Sequence, residues 1–145
     1  MKAKNDFRMT IDSRSINEAF SRSSVAAFAA QLDPTVDEIT DIKTAVSEAV
    51  TNCIVHAYPD SVGKIYIYAA VYDDNSVKIS IRDRGVGIPD VKKAMEPLFT
   101  TLGGERAGLG FAVMESFMDK ITVRSKAGSG TTVTMLKKIS GREDK

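Results

Sequence analysis

The order of apolar patterns along the 145-residue chain predicts an α/β (α+β) two-layer sandwich, a mixed β-sheet with helices on one face. Three observations carry that reading. A first alternating run is followed by two helical stretches, two further alternating runs are joined by a tight turn, and a last helical stretch leads into a strand, a glycine turn and a strand. No linker, repeat or low-complexity tract divides the chain, so residues 1–145 read as a single domain with a hydrophobic fraction of 43%.

Phe7, Met9 and Ile11 alternate with polar residues and predict the first strand. Ser15-Ile-Asn-Glu18 then has the form of a capping box opening a helix, on which Ile16, Ala19, Phe20, Ser23, Ala27 and Ala30 share one face. That helix stops near Leu32, because Asp33-Pro34 suits a restart, with aspartate as N-cap, proline at the first helical position, and Asp37 and Glu38 near the positive end. The second helix therefore runs from about Pro34 to Ala57. Tyr58-Pro59-Asp60 and Gly63 break it. Ile65, Ile67, Ala69 and Val71, followed by Val77, Ile79 and Ile81, predict a hairpin closed at Asp73-Asp74-Asn75. A stretch of roughly 20 residues, PDVKKAMEPLFTTLGGERAGLG, is long for a connection in a compact domain and reads as a lid or binding segment. Leu109 to Met118 has helical spacing, and DKITVRSKAGSGTTVTMLKK reads as strand, glycine turn, strand.

Charge and composition exclude several classes of function. A net charge of +1 with no Lys/Arg run gives no electrostatic footprint for nucleic acid, which leaves a protein or a small ligand as partner. MKAKNDFRM lacks the apolar core of a signal peptide, and the longest apolar run, Val25 to Ala30, is too short for a bilayer. The reading is a cytoplasmic protein without a membrane contact. Cys53 is the single cysteine and cannot form an internal disulfide, so packing is its expected role.

Three segments carry chemistry. At about 100° per residue, Ile39, Ile42, Val46, Val50, Cys53, Ile54 and Ala57 form one stripe of the second helix, leaving Glu48 and Asn52 together on the other side. A solvated polar face is the ordinary explanation of such a pair. A carboxylate and a carboxamide one turn apart also offer a proton acceptor beside a neutral oxygen ligand for a hard cation such as Mg²⁺. His56, one turn further, reads as a packing or capping residue. The run DRGVGIP at 83–89 sets the Asp83 carboxylate beside Gly85 and Gly87, whose bare backbone admits close approach. Gly103, Gly104, Arg106, Gly108 and Gly110 precede the third helix as a glycine-rich phosphate loop would, or as a flexible surface loop would. No Walker-type Gly-Lys-Ser/Thr is present, and no strand leads into the glycines as a Rossmann fingerprint requires.

EAVTN at 48–52, DRGVG at 83–87 and GLG at 108–110 occur in the order of the N box and two glycine boxes of the ATPase/kinase superfamily shared by gyrase, MutL and histidine kinases. AAFAAQLDPTVDEITDIKTAVSEAVTN, RDRGVGIPD, PLFTT, ERAGLGF, MESFMD and GTTV resemble the sporulation anti-sigma F factors across nearly the whole chain.

The resemblance implies a Bergerat-type ATP-binding fold, with ATP or ADP and Mg²⁺ as cofactors. It implies Glu48 as general base, Asn52 as the Mg²⁺ ligand and Asp83 as the residue that recognises the adenine amine, with Gly85 and Gly87 letting base and ribose approach. Gly108 and Gly110 match the phosphate-side box, Arg106 the lid arginine that reaches the terminal phosphate, and Thr131 the threonine supporting the adenine pocket. By the same resemblance the chain is a protein serine kinase and anti-sigma factor that holds a sigma factor inactive, phosphorylates a serine of an anti-anti-sigma factor and forms a homodimer. Arg22, four residues after Glu18, reads as a surface ion pair, and the resemblance offers its helix as a sigma-docking surface. Two alternatives remain open: an ATP-dependent binding switch without phosphotransfer, and an isolated catalytic domain of the histidine-kinase type. The second lacks a dimerisation helix bearing a phosphoacceptor histidine, and the only histidine lies in the helix of Glu48 and Asn52.

Overall fold

A computed structural model describes residues 2–95 and 110–141. Its elements are β1 (Asn5–Asp12), α1 (Ile16–Ala29), α2 (Val36–Asn52) with a π-helical turn at Cys53–Ala57, β2 (Lys64–Val71), β3 (Ser76–Asp83), the short α3 (Val91–Ala94), α4 (Phe111–Phe117), β4 (Lys120–Lys126) and β5 (Gly130–Lys138). The sheet order is β1-β2-β3-β5-β4, and α1, α2 and α4 pack over its apolar face, giving the expected two layers.

The sheet is not mixed: every described pair of neighbouring strands is antiparallel. β4 does run in the direction of β3, but β5 lies between them and opposes both, so no parallel neighbours arise. The register places one apolar row straight across the sheet, Met9 beside Ile67, then Ile81, Val133 and Val123. Fully burying a residue such as Ile67 or Ile81 stabilises the fold by about 1.5–3 kcal/mol relative to leaving it in water. The next inward-facing row starts with Ile11 and Ile65 and then becomes polar at Asp83, the pairing partner of Ile65.

The hairpin between β2 and β3 turns as its sequence demands. Asn75 N–H donates to the Tyr72 carbonyl at 3.0 Å, and Asn75 takes the left-handed conformation that asparagine tolerates best among side-chain-bearing residues.

Two helix starts differ from expectation. Ser15 makes no side-chain cap, and the Glu18 carboxylate instead accepts from Arg22 at 2.6 Å, a half-buried pair that Ser47 of α2 also reaches. The capping box sits at the start of α2, where Thr35 Oγ1 accepts from Glu38 N–H at 3.1 Å and Glu38 Oε1 accepts from Thr35 N–H at 2.9 Å. Asp33 is left-handed and ends a 3₁₀ turn at Ala30–Leu32, so the helix begins after Pro34 rather than at it.

The buried face of α1 is also not the one the apolar count selects. Ser21, Val25, Ala26 and Ala29 are buried, whereas Ile16 is 78% and Phe20 54% exposed. α1 lies close against α2, and small side chains permit that approach; Ser21 becomes admissible because its hydroxyl donates to the Glu18 carbonyl at 2.8 Å.

Candidate functional site

Strand alternation aims Asp83 inward, after Val77, Ile79 and Ile81, and leaves it 5% exposed at the end of β3. Its Oδ1 accepts from Gly85 N–H at 2.9 Å and Thr131 N–H at 3.2 Å, and its Oδ2 accepts from the Cys53 thiol at 3.5 Å. Burial pushes the carboxyl pKa upward, and the hydrogen bonds from Gly85, Cys53 and Thr131 oppose that shift. Burial next to the Asp83 charge drives the Cys53 pKa well above that of an ordinary thiol, so the sulfur keeps its proton and stays a donor. A carboxylate has about four lone-pair positions, so after these three bonds Oδ2 retains acceptor capacity for a ligand N–H.

Asp83 lines a cleft walled also by Asn52, His56, Gly87, Ile88, Phe111 and Thr131 among others. The apolar walls around one buried carboxylate suit a flat heteroaromatic ring carrying an N–H donor. His56 therefore lines the cleft rather than only packing at a helix end.

The two glycines after Asp83 have a use that the sequence does not announce. A Cβ at Gly85 would collide with the Ala57 carbonyl, which accepts from Val86 N–H at 3.1 Å, and a Cβ at Gly87 would strike the Lys126 carbonyl. Gly87 has a φ of 78°, in the left-handed region. Both let the loop close on its own protein backbone, with Gly128 N–H donating to Val86 O at 2.7 Å, and Gly87 also lines the cleft.

Glu48 and Asn52 do project together from α2, but not opposite its apolar stripe. Ala45 and Ala49 are also buried, which widens the stripe and brings Asn52 to its flank, half-buried in the cleft wall. Glu48 is half-buried too, and this burial raises its pKa above that of an ordinary glutamate. Gly110, the N-cap of α4 with a φ of 68°, sits against the Glu48 carboxylate. The structure thus gathers Asn52, Asp83, Gly87 and Thr131 around one cleft, places Glu48 beside Gly110, and puts Gly85 behind the Asp83 loop. Arg106 and Gly108 lie outside the described residues.

Among the described residues no three His, Cys, Asp or Glu side chains converge as a metal cage. An Asn52 amide oxygen at the cleft still fits a cation such as Mg²⁺, which takes few protein ligands and fills its sphere with water and phosphate oxygens. Among the same residues no helix is long and apolar enough to cross a membrane.

Sequence reasoning missed Ser125. Its hydroxyl accepts from Ile88 N–H at 2.7 Å, donates to Gly130 O at 3.0 Å and lies 2.7 Å from Thr131 Oγ1, tying the loop after Asp83 to the β4–β5 hairpin. The signal is period two: Ile121 and Val123 face inward, so Ser125 does as well.

A family model described as histidine kinase-like ATPase domain matches residues 13–137. The anti-sigma F factor of Caldanaerobacter subterraneus subsp. tengcongensis is 57% identical over 140 residues, covering 96% of this chain and 97% of the relative. The anti-sigma F factor of a Thermoanaerobacter species is 55% identical over the same shares of the two chains. Among solved structures, the RsbU and RsbW domains of a Mycobacterium tuberculosis protein superpose with a TM-score of 0.69 at 23% identity, covering 94% of this chain and 33% of that one, a likeness of fold.

Proposed function

Because the chain belongs to the histidine kinase-like ATPase domain family and, within it, to the anti-sigma F factors, we propose that it holds a sporulation sigma factor inactive and uses ATP to phosphorylate a serine of an anti-anti-sigma factor. One ATP-binding domain, residues 1–145, acting in the cytoplasm as a homodimer, accounts for the whole chain. The observation that carries the reading is the pairing of a buried recognition carboxylate, Asp83, with a second half-buried carboxylate, Glu48, on the helix that forms the cleft wall.

Asp83 Oδ2 accepts from the amine of adenine while Gly85 and Thr131 hold Oδ1, so the ring is oriented before any chemistry begins. Glu48 takes the proton of the substrate serine as its oxygen bonds to the terminal phosphorus, and the bridging oxygen leaves with ADP. Elevation of the Glu48 pKa by burial makes it a stronger proton acceptor than a solvated glutamate. Asn52 would hold Mg²⁺, which supplies neutralisation of phosphate charge. Gly108, Gly110 and Arg106 complete the phosphate side, the arginine by a permanent positive charge on the transferring group.

Incubation with γ-labelled ATP, Mg²⁺ and the cognate anti-anti-sigma factor tests this reading. Label on a serine of that protein, together with co-purification of the sigma factor, is the expected result. ATP binding without transfer would replace the kinase with a binding switch, and acid-labile label on a histidine would favour the histidine-kinase alternative.

A further inference from the structure

We propose that Ser125 is a positioning residue that fixes the Thr131 hydroxyl as a hydrogen-bond acceptor, so that the cleft selects a purine with an amine rather than an oxygen at position six. The inference rests on the nucleotide-binding reading of the cleft and extends it to a residue of β4. Ser125 and Thr131 are paired across the β4–β5 hairpin, on the inner side of the sheet. A hydroxyl has one proton and two lone pairs. Ile88 N–H occupies one lone pair of Ser125 at 2.7 Å. The Gly130 carbonyl, at 3.0 Å, can only accept and therefore takes the Ser125 proton. The remaining contact, 2.7 Å to Thr131 Oγ1, is then a bond only if Thr131 donates. One assignment alone satisfies all three contacts, and it spends the threonine proton on Ser125.

Thr131 consequently turns lone pairs toward the cleft it lines. Its own backbone N–H donates to Asp83 Oδ1 at 3.2 Å, which brings the second acceptor, the carboxylate, alongside. Two adjacent acceptors complement the two N–H groups of an exocyclic amine. A carbonyl in the same place would set acceptor against acceptor, with desolvation unrepaid on both sides. Without the Ser125 hydroxyl, Thr131 is free to rotate and donate, and the polarity of this part of the cleft is no longer fixed.

Titration of the full chain with ATP and with inosine triphosphate, which differs in carrying oxygen at position six, provides the test. The natural chain should prefer ATP, and Ser125→Ala should reduce the ratio of the two affinities about tenfold, the scale of one unpaired buried polar group. Ser125→Thr, which retains a hydroxyl, should keep the natural ratio. Thr131→Val removes the acceptor while leaving the Ser125 hydroxyl bonded to Ile88 and Gly130, and should narrow the ratio as well, which keeps the inference testable if Ser125→Ala does not fold. Equal losses of both affinities in Ser125→Ala, with the ratio unchanged, would reduce Ser125 to a structural strut and overturn the proposal. So would a natural chain that binds ATP and inosine triphosphate equally. Binding of neither nucleotide would overturn the nucleotide reading and this inference with it.

Discussion

Gly110 stands so close to Glu48 that any side chain at position 110 would meet the Glu48 carboxylate, and its left-handed φ of 68° independently favours glycine there. The residue that opens α4 and the proposed base on α2 are therefore fitted to each other where the two helices meet.

Gly110→Ala tests that fit. The left-handed conformation costs a non-glycine residue about 1–3 kcal/mol, which should appear as lost stability in a denaturant melt. Displacement of the Glu48 carboxylate should lower phosphotransfer more than tenfold while leaving nucleotide binding at the Asp83 end within about threefold, because a misplaced base affects the transition state and not the adenine contact. Rates and affinities measured on the same preparation separate the two effects. Equal losses in both would place Gly110 in the adenine site instead.

Glu48→Gln should retain nucleotide affinity and reduce transfer by about 10²–10⁴-fold, the range for removing a general base. Burial raises the Glu48 pKa, so the natural enzyme should lose activity on acidification at a higher pH than an ordinary glutamate would dictate. The linkage to stability has the opposite sense. A carboxyl whose pKa is raised on folding contributes stability that is complete below its unfolded value of about 4.5 and is lost as pH rises through the folded value. The glutamine variant should therefore melt higher than the natural chain near neutrality and show no such advantage below the ordinary glutamate pKa. A variant that transfers phosphate at the natural rate would remove Glu48 from the mechanism.

Much of this site is written in period two. Val77, Ile79, Ile81 and Asp83 put a carboxylate where alternation calls for an apolar side chain, and Ile121, Val123 and Ser125 repeat the pattern on β4. The strands and the long second helix are legible for the same reason, since one buried face forces one spacing. The α1 face is not legible, because close packing on α2 rewards small residues such as Ser21 and Ala29, whereas counting apolar side chains points to Ile16 and Phe20. The π-helical turn at Cys53–Ala57 is equally hidden, since a wider turn leaves no mark on a short apolar run; yet it delivers the Ala57 carbonyl that Gly85 and Val86 close upon. The sequence identifies Gly85 as a glycine that must stay bare, but not that protein backbone is what approaches it.

Asp83→Asn should fold and bind adenine nucleotide about 10–100-fold more weakly, the scale of one mispaired buried group. An asparagine oxygen can keep the bonds from Gly85 and Thr131 at the Oδ1 position, which preserves the loop. Its amide nitrogen then replaces Oδ2, presenting N–H groups to the Cys53 thiol and to the ligand amine, where acceptors are required. Calorimetric titration with ATP is the direct measurement. Unchanged affinity would show that the adenine amine does not meet this carboxylate.

Glu38 stabilises the fold away from the cleft, with its own pH signature. Burial tends to raise its pKa, but hydrogen bonds from Thr35 N–H, Ser140 N–H and Oγ, and Gly141 N–H outweigh this and hold it at about 2. A carboxylate depressed in this way contributes stability that is present above its unfolded pKa of about 4.5 and is lost as pH falls through about 2. Glu38→Ala removes half of the α2 capping box and the anchor of Ser140, so it should cost about 1–2 kcal/mol at pH 7. Denaturant titrations of the two proteins should converge as pH is lowered from 4.5 toward 2, where the natural carboxylate takes up its proton and loses most of its advantage. A gap that persists undiminished to pH 2 would mean that Glu38 acts through packing rather than charge.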